Sequence, residues 1–328
     1  MLAMATSLPA QIRTLPVEGA SGTSFSEELA SLEMESGRRV EIENALGQRD
    51  YKRAESMLVE EAEREPKSPR AAKALTLAGG IFFLDGQYLN SAIAWKKAEA
   101  ITPLDDRSRF SLAMAYIKLN HRDWARPELE ALEAAQPQNA LYLYWLARLD
   151  YDAKNYSAAI VRLQKVIEID PKMTRGYDTL GLCYDYLGQF DAAIKSYDRA
   201  VELNRLQAKP SPWPHVDLAV SLIWVNRWAE AEKTLREALT YDDRLPQAHY
   251  QLGRVLEMRG ELEAAAAELN QAAALNPAYP EPHFSLGRIY YRLHQPEKAK
   301  AEITRFQQLK KATESGSSTR QESSPPSE

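Results

Sequence analysis

Apolar residues in this chain recur at helical spacing. Tyr156, Ala159, Leu163 and Val166 stand three or four positions apart, as do Phe190, Ala193, Tyr197 and Ala200, so each set shares one face of a helix. A second stripe precedes each: Leu146, Ala147 and Asp150 in one case, and Tyr177, Leu180, Gly181 and Tyr184 in the other. A short turn divides the two stripes of a pair. Gly86, Gly188 and Gly260 occupy three such turns, where glycine adopts the backbone conformation that ends a helix. The pattern predicts a succession of helix pairs.

The pairs repeat every 34 residues, as the prolines at Pro103, Pro137 and Pro171 show. With repeats starting at 72, 106, 140, 174, 212, 246 and 280, the eighth position reads Gly79, Ala113, Ala147, Gly181, Ala219, Gly253 and Gly287. The twentieth reads Ser91, Ala125, Ala159, Ala193, Ala231, Ala265 and Ala299. Helices that cross closely need small side chains at the contact, which accounts for both columns. A period of this length is the signature of a stacked repeat architecture.

The segment LGLCYDYLGQFDAAIKSYDRAVELN, residues 180–204, resembles a tetratricopeptide repeat in its Leu-Gly, Tyr, Gly-x-Phe, Ala, Tyr and Ala positions. The resemblance extends over residues 72–311, with a degenerate further unit over 35–71 in which Tyr51, Ala54, Leu58 and Pro66 match the second-helix half. It implies an all-α fold, a right-handed α-solenoid superhelix of about seven to eight antiparallel helix-pair repeats. Arg205 and Asp243 replace the closing proline, and Asn120, Lys154, Asn226 and His294 replace the turn glycine, which is expected to soften individual turns.

Between the fifth and sixth units the spacing grows to 38, with the surplus at 208–211 ahead of Pro212, Trp213 and Pro214. Two readings stand: a loop into a helix whose first turn tolerates proline, or a kink with Trp213 as a docking anchor. A terminal repeat should be polar on its outer face. Lys300 and Gln307 stand where interior units carry Ile160 and Ile167. Residues 312–328 are Ser-, Glu- and Pro-rich and read as disordered, as does most of 1–34, with Ser24 and Glu27 offering a capping-box start for a short closing helix.

Composition narrows the function. Of 328 residues, 45% are apolar, enough for a continuous core, and the net charge of −5 supplies none of the basic excess that nucleic-acid binding uses. One cysteine, Cys183, rules out an intrachain disulfide and cysteine-based metal sites. The longest largely apolar run, residues 74–84, is far short of the ~20 residues that span a bilayer, so no membrane insertion is expected. Residues 1–11 carry no Lys or Arg and support a secretory signal poorly. The compartment stays open: the cytoplasm is slightly favoured, with export to the periplasm allowed for if the amino terminus is truncated.

No phosphate loop, nucleophile elbow, calcium loop or zinc-protease motif occurs, so neither an enzyme nor a cofactor is expected. His215, His249 and His283 are 34 apart. Equivalent positions of successive repeats stand roughly 8–10 Å apart, too far to converge on one metal. They read as packing residues, with one attached expectation: acidification charges them and loosens the carboxy-terminal units.

First helices of such an array line an inner wall, and their positions 2, 5, 9 and 12 point away from the packing positions. This stripe holds Phe83, Phe110, Tyr144, Arg148, Tyr151, Asp178, Asp185, Tyr250, Arg254, Glu257, Phe284, Arg288 and Tyr291, the candidate peptide-binding groove. Aromatic and arginine side chains dominate protein interfaces, and arginine holds carboxylates in a fork. The expected partner is therefore a protein or peptide with acidic and apolar residues. The Lys and Asn pattern by which some family members clamp chaperone tails is not matched. Against this adaptor reading stands a structural one: a self-associating repeat protein whose stripe packs on itself, with the oligomeric state undetermined.

Overall fold

The computed structural model describes residues 25–321, and the readings made for 1–24, including the capping-box Ser24, and for 322–328 lie outside them. Seventeen helices and no strand occur among the described residues. The helices fall into two compact units, through Pro137 and from Gln138. The amino-terminal unit holds α1 (Phe25–Ala30), α2 (Ser36–Gly47), α3 (Tyr51–Arg64), α4 (Pro69–Leu84), α5 (Tyr88–Glu99), α6 (Asp106–Lys118) and α7 (Arg122–Ala135). The carboxy-terminal unit holds α8 (Ala140–Asp152), α9 (Tyr156–Ile169), α10 (Thr174–Tyr186), α11 (Phe190–Arg205), α12 (Trp213–Trp224), α13 (Trp228–Tyr241), α14 (Pro246–Met258), α15 (Leu262–Leu275), α16 (Pro280–Arg292) and α17 (Pro296–Gln321).

Helix starts follow local chemistry. Ser68, Asp105 and Asn139 accept hydrogen bonds from Ala71, Ser108 and Leu141 amides at 3.1, 2.7 and 3.1 Å, while α4, α12, α14 and α16 carry proline in the first turn. The turns inside the pairs share one geometry. A residue in the left-handed region ends the first helix, and the amide after it reaches back to a carbonyl five residues earlier, as Gln189 does to Tyr184 at 2.9 Å.

The substituted turns keep the geometry of the glycine turns. Asn120, Lys154, Asn226 and His294 hold φ of 64°, 61°, 61° and 59°, beside 70° at Gly188, because the closing hydrogen bond fixes the backbone whatever the side chain. Arg49, between α2 and α3, takes the same conformation at 59°.

The two small columns lie where paired helices meet. A Cβ built on Gly79 would stand 2.8 Å from the Trp95 indole, and one on Gly181 would stand 2.5 Å from the Tyr197 ring. Ser91 donates to the Gly79 carbonyl at 2.7 Å across the same crossing. Leu29, Ile42, Leu58 and Ile81 are fully buried in the amino-terminal core, and Tyr197, Leu235, Leu252 and Leu286 in the carboxy-terminal core.

Without its closing proline, α11 runs on to Arg205. The surplus residues before α12 are clamped by Asn204, 1% exposed, whose side chain donates to the Ser211 carbonyl at 2.8 Å and accepts from its amide at 2.9 Å. Trp213 opens α12 and packs against the carboxy-terminal core.

At the far end, α17 continues to Gln321, into the stretch whose composition reads as disordered. Its backbone stays helical there, since 312–321 contains a single glycine and no proline to break the hydrogen-bond ladder.

Candidate functional site: the first-helix wall

Within the carboxy-terminal unit the first helices α8, α10, α12, α14 and α16 each touch the next, whereas the second helices touch only first helices. The first helices thus form one wall, and the candidate groove positions from Tyr144 to Tyr291 are carried on it. Their environments differ along its length.

At the α8 end the aromatic positions are covered. Tyr144 is 8% exposed, with the Arg175 guanidinium 4.7 Å above its ring. The Arg148 guanidinium lies 5.0 Å over Tyr151 and 3.7 Å from Asp152. Tyr151 meets Tyr186 edge-on at 5.6 Å, and Tyr186 stacks on Tyr156 at 4.8 Å. Burial beside this cluster pushes the Cys183 thiol up to about 12, which leaves it without thiolate at neutral pH.

In the middle, Asp185 is turned into the fold. Its carboxylate accepts from the Tyr197 hydroxyl at 3.0 Å and from Ser221 at 2.7 Å. Burial raises its pKa to about 6, outweighing the two hydrogen bonds, which favour the charged form. Asp178 stands close enough to contribute, after burial, Asp185 and Asp217, to the raised pKa of the Tyr197 phenol.

Toward the α16 end the wall opens. Tyr250 lies 5.3 Å from Tyr279, with Arg254 5.8 Å over its ring and donating to Gln251 at 2.9 Å. Glu257, 4% exposed, is gripped by the Arg288 fork at 2.7 and 2.5 Å and approached by Arg292 at 3.4 Å. These bonds raise the Arg288 pKa further and make Glu257 its internal counter-ion. Beside them Phe284 is 47% and Tyr291 75% exposed, and the side chains of Arg288 and Arg292 are about half exposed. Phe284 rests against Phe306 of α17 at 5.2 Å.

In the amino-terminal unit α4 touches α6. Phe83 packs on Tyr88 at 5.3 Å and Trp95 at 6.1 Å, and Phe110 is half-buried. The short helix α1 touches α4, and its Glu28 pairs with Arg107 at 2.8 Å, so a groove position there already meets a carboxylate of the chain.

Several side chains of the wall escape the sequence reading. Arg292, at position 13 of its repeat, approaches Glu257 beside Arg288. Tyr186, Trp224 and Met258 fall at position 13 of their repeats, 43%, 61% and 61% exposed. The signal for them is a third apolar column on three units, directly after the stripe.

The three histidines are held separately. His249 and His283 each place Nδ1 2.6 Å from a second-helix carboxylate, Glu268 and Glu302. His215 is fully buried with Nε2 3.2 Å from Glu237, and burial lowers its pKa despite that neighbour. Glu237, pulled down to about 2, is held chiefly by Arg205 at 2.6 Å. Among the described residues no group of side chains is arranged to hold a metal ion, and no helix is long and apolar enough to cross a membrane.

Comparison with known proteins places this geometry. A family model described as TPR repeat matches residues 258–293, one described as Tetratricopeptide repeat matches 179–205, and a second of that description matches 40–106 and 110–173. Anaphase-promoting complex subunit 3 of Dictyostelium discoideum is 38% identical over 69 residues, 21% of this chain and 7% of that protein. The chain thus aligns with less than a tenth of that relative's length. The crystal structure of the APC/C hetero-tetramer Cut9-Hcn1 superimposes with a TM-score of 0.58 at 13% identity over 80% of this chain and 58% of that one. The structure of Pseudomonas aeruginosa pilF does so at 0.55 and 20% over 64% and 94%. At these identities the structural likeness is one of fold.

Proposed function

The chain belongs to the tetratricopeptide repeat family, and we propose on that premise that it is a protein-interaction adaptor whose first-helix wall captures a partner segment with acidic and apolar residues. One observation carries the proposal. Phe284, Arg288, Tyr291 and Arg292 recur at helical spacing along α16, and they combine exposed rings with two guanidinium groups. Soluble surfaces seldom leave such rings uncovered without a use for them.

The geometry also sets the mode of capture. Arg288 already holds Glu257, so a ligand carboxylate exchanges with an internal one and the net gain from that pair is small. The apolar contacts of Phe284 and Tyr291 supply most of the affinity, and the arginines select for acidic neighbours.

Panning a displayed peptide library on the full chain tests this. The enriched sequences combine Asp or Glu with bulky apolar residues, and their affinity falls by about tenfold or more in Phe284→Ala/Tyr291→Ala. Enriched peptides that bind the double variant as tightly as the parent would remove the wall from consideration.

A second reading, self-association, draws on the exposed Tyr186, Trp224 and Met258 column. Sedimentation at two protein concentrations separates the two: a mass that rises with concentration and reverts in Trp224→Ala favours it.

A further inference from the structure

One repeat departs from the others on the water-facing side of its second helix. Leu89, Ile93, Lys96 and Lys97 of α5, with Tyr116 of α6 and Trp124 of α7, line an open cavity of about 390 Å³. Leu89, Ile93 and Trp124 are 57%, 45% and 49% exposed. At the register of Leu89 four of the other six repeats carry Asp123, Asp191, Glu263 and Glu297 and two carry Ser157 and Ala229, while at that of Ile93 two carry Lys195 and Lys233 and one the exposed Val161. The fold therefore accepts polar residues at both positions, and the apolar ones here are not required by packing.

Trp124 is displaced in the same direction. The second helices α5, α9, α11, α13 and α15 begin with Tyr88, Tyr156, Phe190, Trp228 and Leu262, whereas α17 begins with Pro296 and α7 with Arg122. Its ring comes two residues later and faces outward, stacked on His121 at 4.1 Å and edge-on to Tyr116 at 5.6 Å.

The charges beside the cavity are unequal. Lys96 is held by Glu99 at 2.5 Å and Glu128 at 3.6 Å, and those carboxylates are further neutralised by Arg109 at 2.8 and 2.6 Å. Lys97 makes no ion pair among the described residues and leaves an ammonium at the rim. A two-fold contact between copies would set this patch against itself, bringing like charges together, so a second copy fits poorly. A carboxylate-bearing partner fits.

We propose that this face of α5 and α7 is a docking surface, separate from the first-helix wall, for an amphipathic helix of a partner protein that carries bulky apolar residues flanked by carboxylates. From Leu89 to Lys97 the apolar and basic positions follow one face of α5 for about two turns, the footprint a helix covers when it lies along another. Leucine-sized side chains enter beside Ile93 and Trp124, and an acidic neighbour reaches Lys97.

The test uses the full chain and two labelled synthetic amphipathic helices of about 14 residues, roughly four turns, with the same leucine face and either glutamate or lysine flanks. Fluorescence anisotropy is expected to show binding of the glutamate helix and binding about tenfold weaker or less for the lysine helix. Leu89→Asp/Ile93→Lys, built from residues that neighbouring repeats tolerate at these registers, lowers affinity for the glutamate helix by about tenfold or more. Lys97→Glu reverses the preference between the two helices, while Phe284→Ala/Tyr291→Ala leaves both unchanged. Failure of the glutamate helix to bind, equal binding of both helices, or affinity indifferent to Leu89→Asp/Ile93→Lys overturns the proposal, whatever the fate of the first-helix wall.

Discussion

The ring of Tyr197 occupies the space that a side chain at Gly181 would need, with its Cε1 atom 2.5 Å from where a Cβ on that glycine would stand. The aromatic partners at this register stand opposite glycine, Trp95 opposite Gly79 and Tyr197 opposite Gly181, although glycine also faces Leu269 at Gly253 and Ile303 at Gly287. Where the first position is alanine, as at Ala147 and Ala219, the second is Leu163 or Leu235. Gly181→Ala therefore overpacks the crossing. Unfolding free energy measured in urea should fall by about 1–3 kcal/mol, even though alanine is the better helix former by about 1 kcal/mol. In a Tyr197→Leu background the same substitution becomes neutral or stabilising. Equal losses in both backgrounds would mean that the two residues are not coupled.

Lys154 holds a left-handed backbone with φ of 61° that Gly188 adopts in the next turn without a Cβ. Lys154→Gly should raise stability by about 1 kcal/mol by relieving that clash. Gly188→Lys should lower it by a similar amount. A Lys154→Gly chain no more stable than the parent would show that the turn carries no strain.

The turns illustrate what a sequence discloses. Glycine at three of them gives away the fold, and the 34-residue columns locate every helix pair from α4 onward. Residue type misleads at the substituted turns, because the closing hydrogen bond decides the backbone conformation there. The wall is legible as a stripe and illegible as a site. Spacing places Asp185 and Tyr291 at the same position of their repeats, yet Asp185 turns inward to Tyr197 and Ser221 while Tyr291 faces solvent. That difference depends on which residues of neighbouring helices offer a partner, and periodicity within one repeat does not carry it. The three histidines differ for the same reason, since of them only His215 is fully buried.

Asp185 gives the stability a defined pH dependence. Its folded pKa of about 6 lies above the ordinary value of about 3.9, so the folded state binds the proton more tightly. Stability from this group is present below about pH 4 and declines by about 2–3 kcal/mol as the pH rises to about 6, then levels off. Glu237, with its pKa lowered to about 2, acts oppositely and loses its contribution as the pH falls below its ordinary range. The difference between the parent and Asp185→Asn, measured by urea unfolding from about pH 4 to about pH 7, isolates the first effect. A constant difference across that range would contradict the raised pKa.

The most direct test of the adaptor reading is photo-crosslinking in the native cell, with a benzophenone amino acid replacing Tyr291 on the wall or Val161 on the exposed side of α9, 75% and 67% exposed. The account predicts a discrete adduct with a partner protein from position 291, none from 161, and loss of the adduct when Phe284 and Arg292 are changed to alanine. Adducts of equal yield from both positions, or one from 291 that survives those changes, would contradict it.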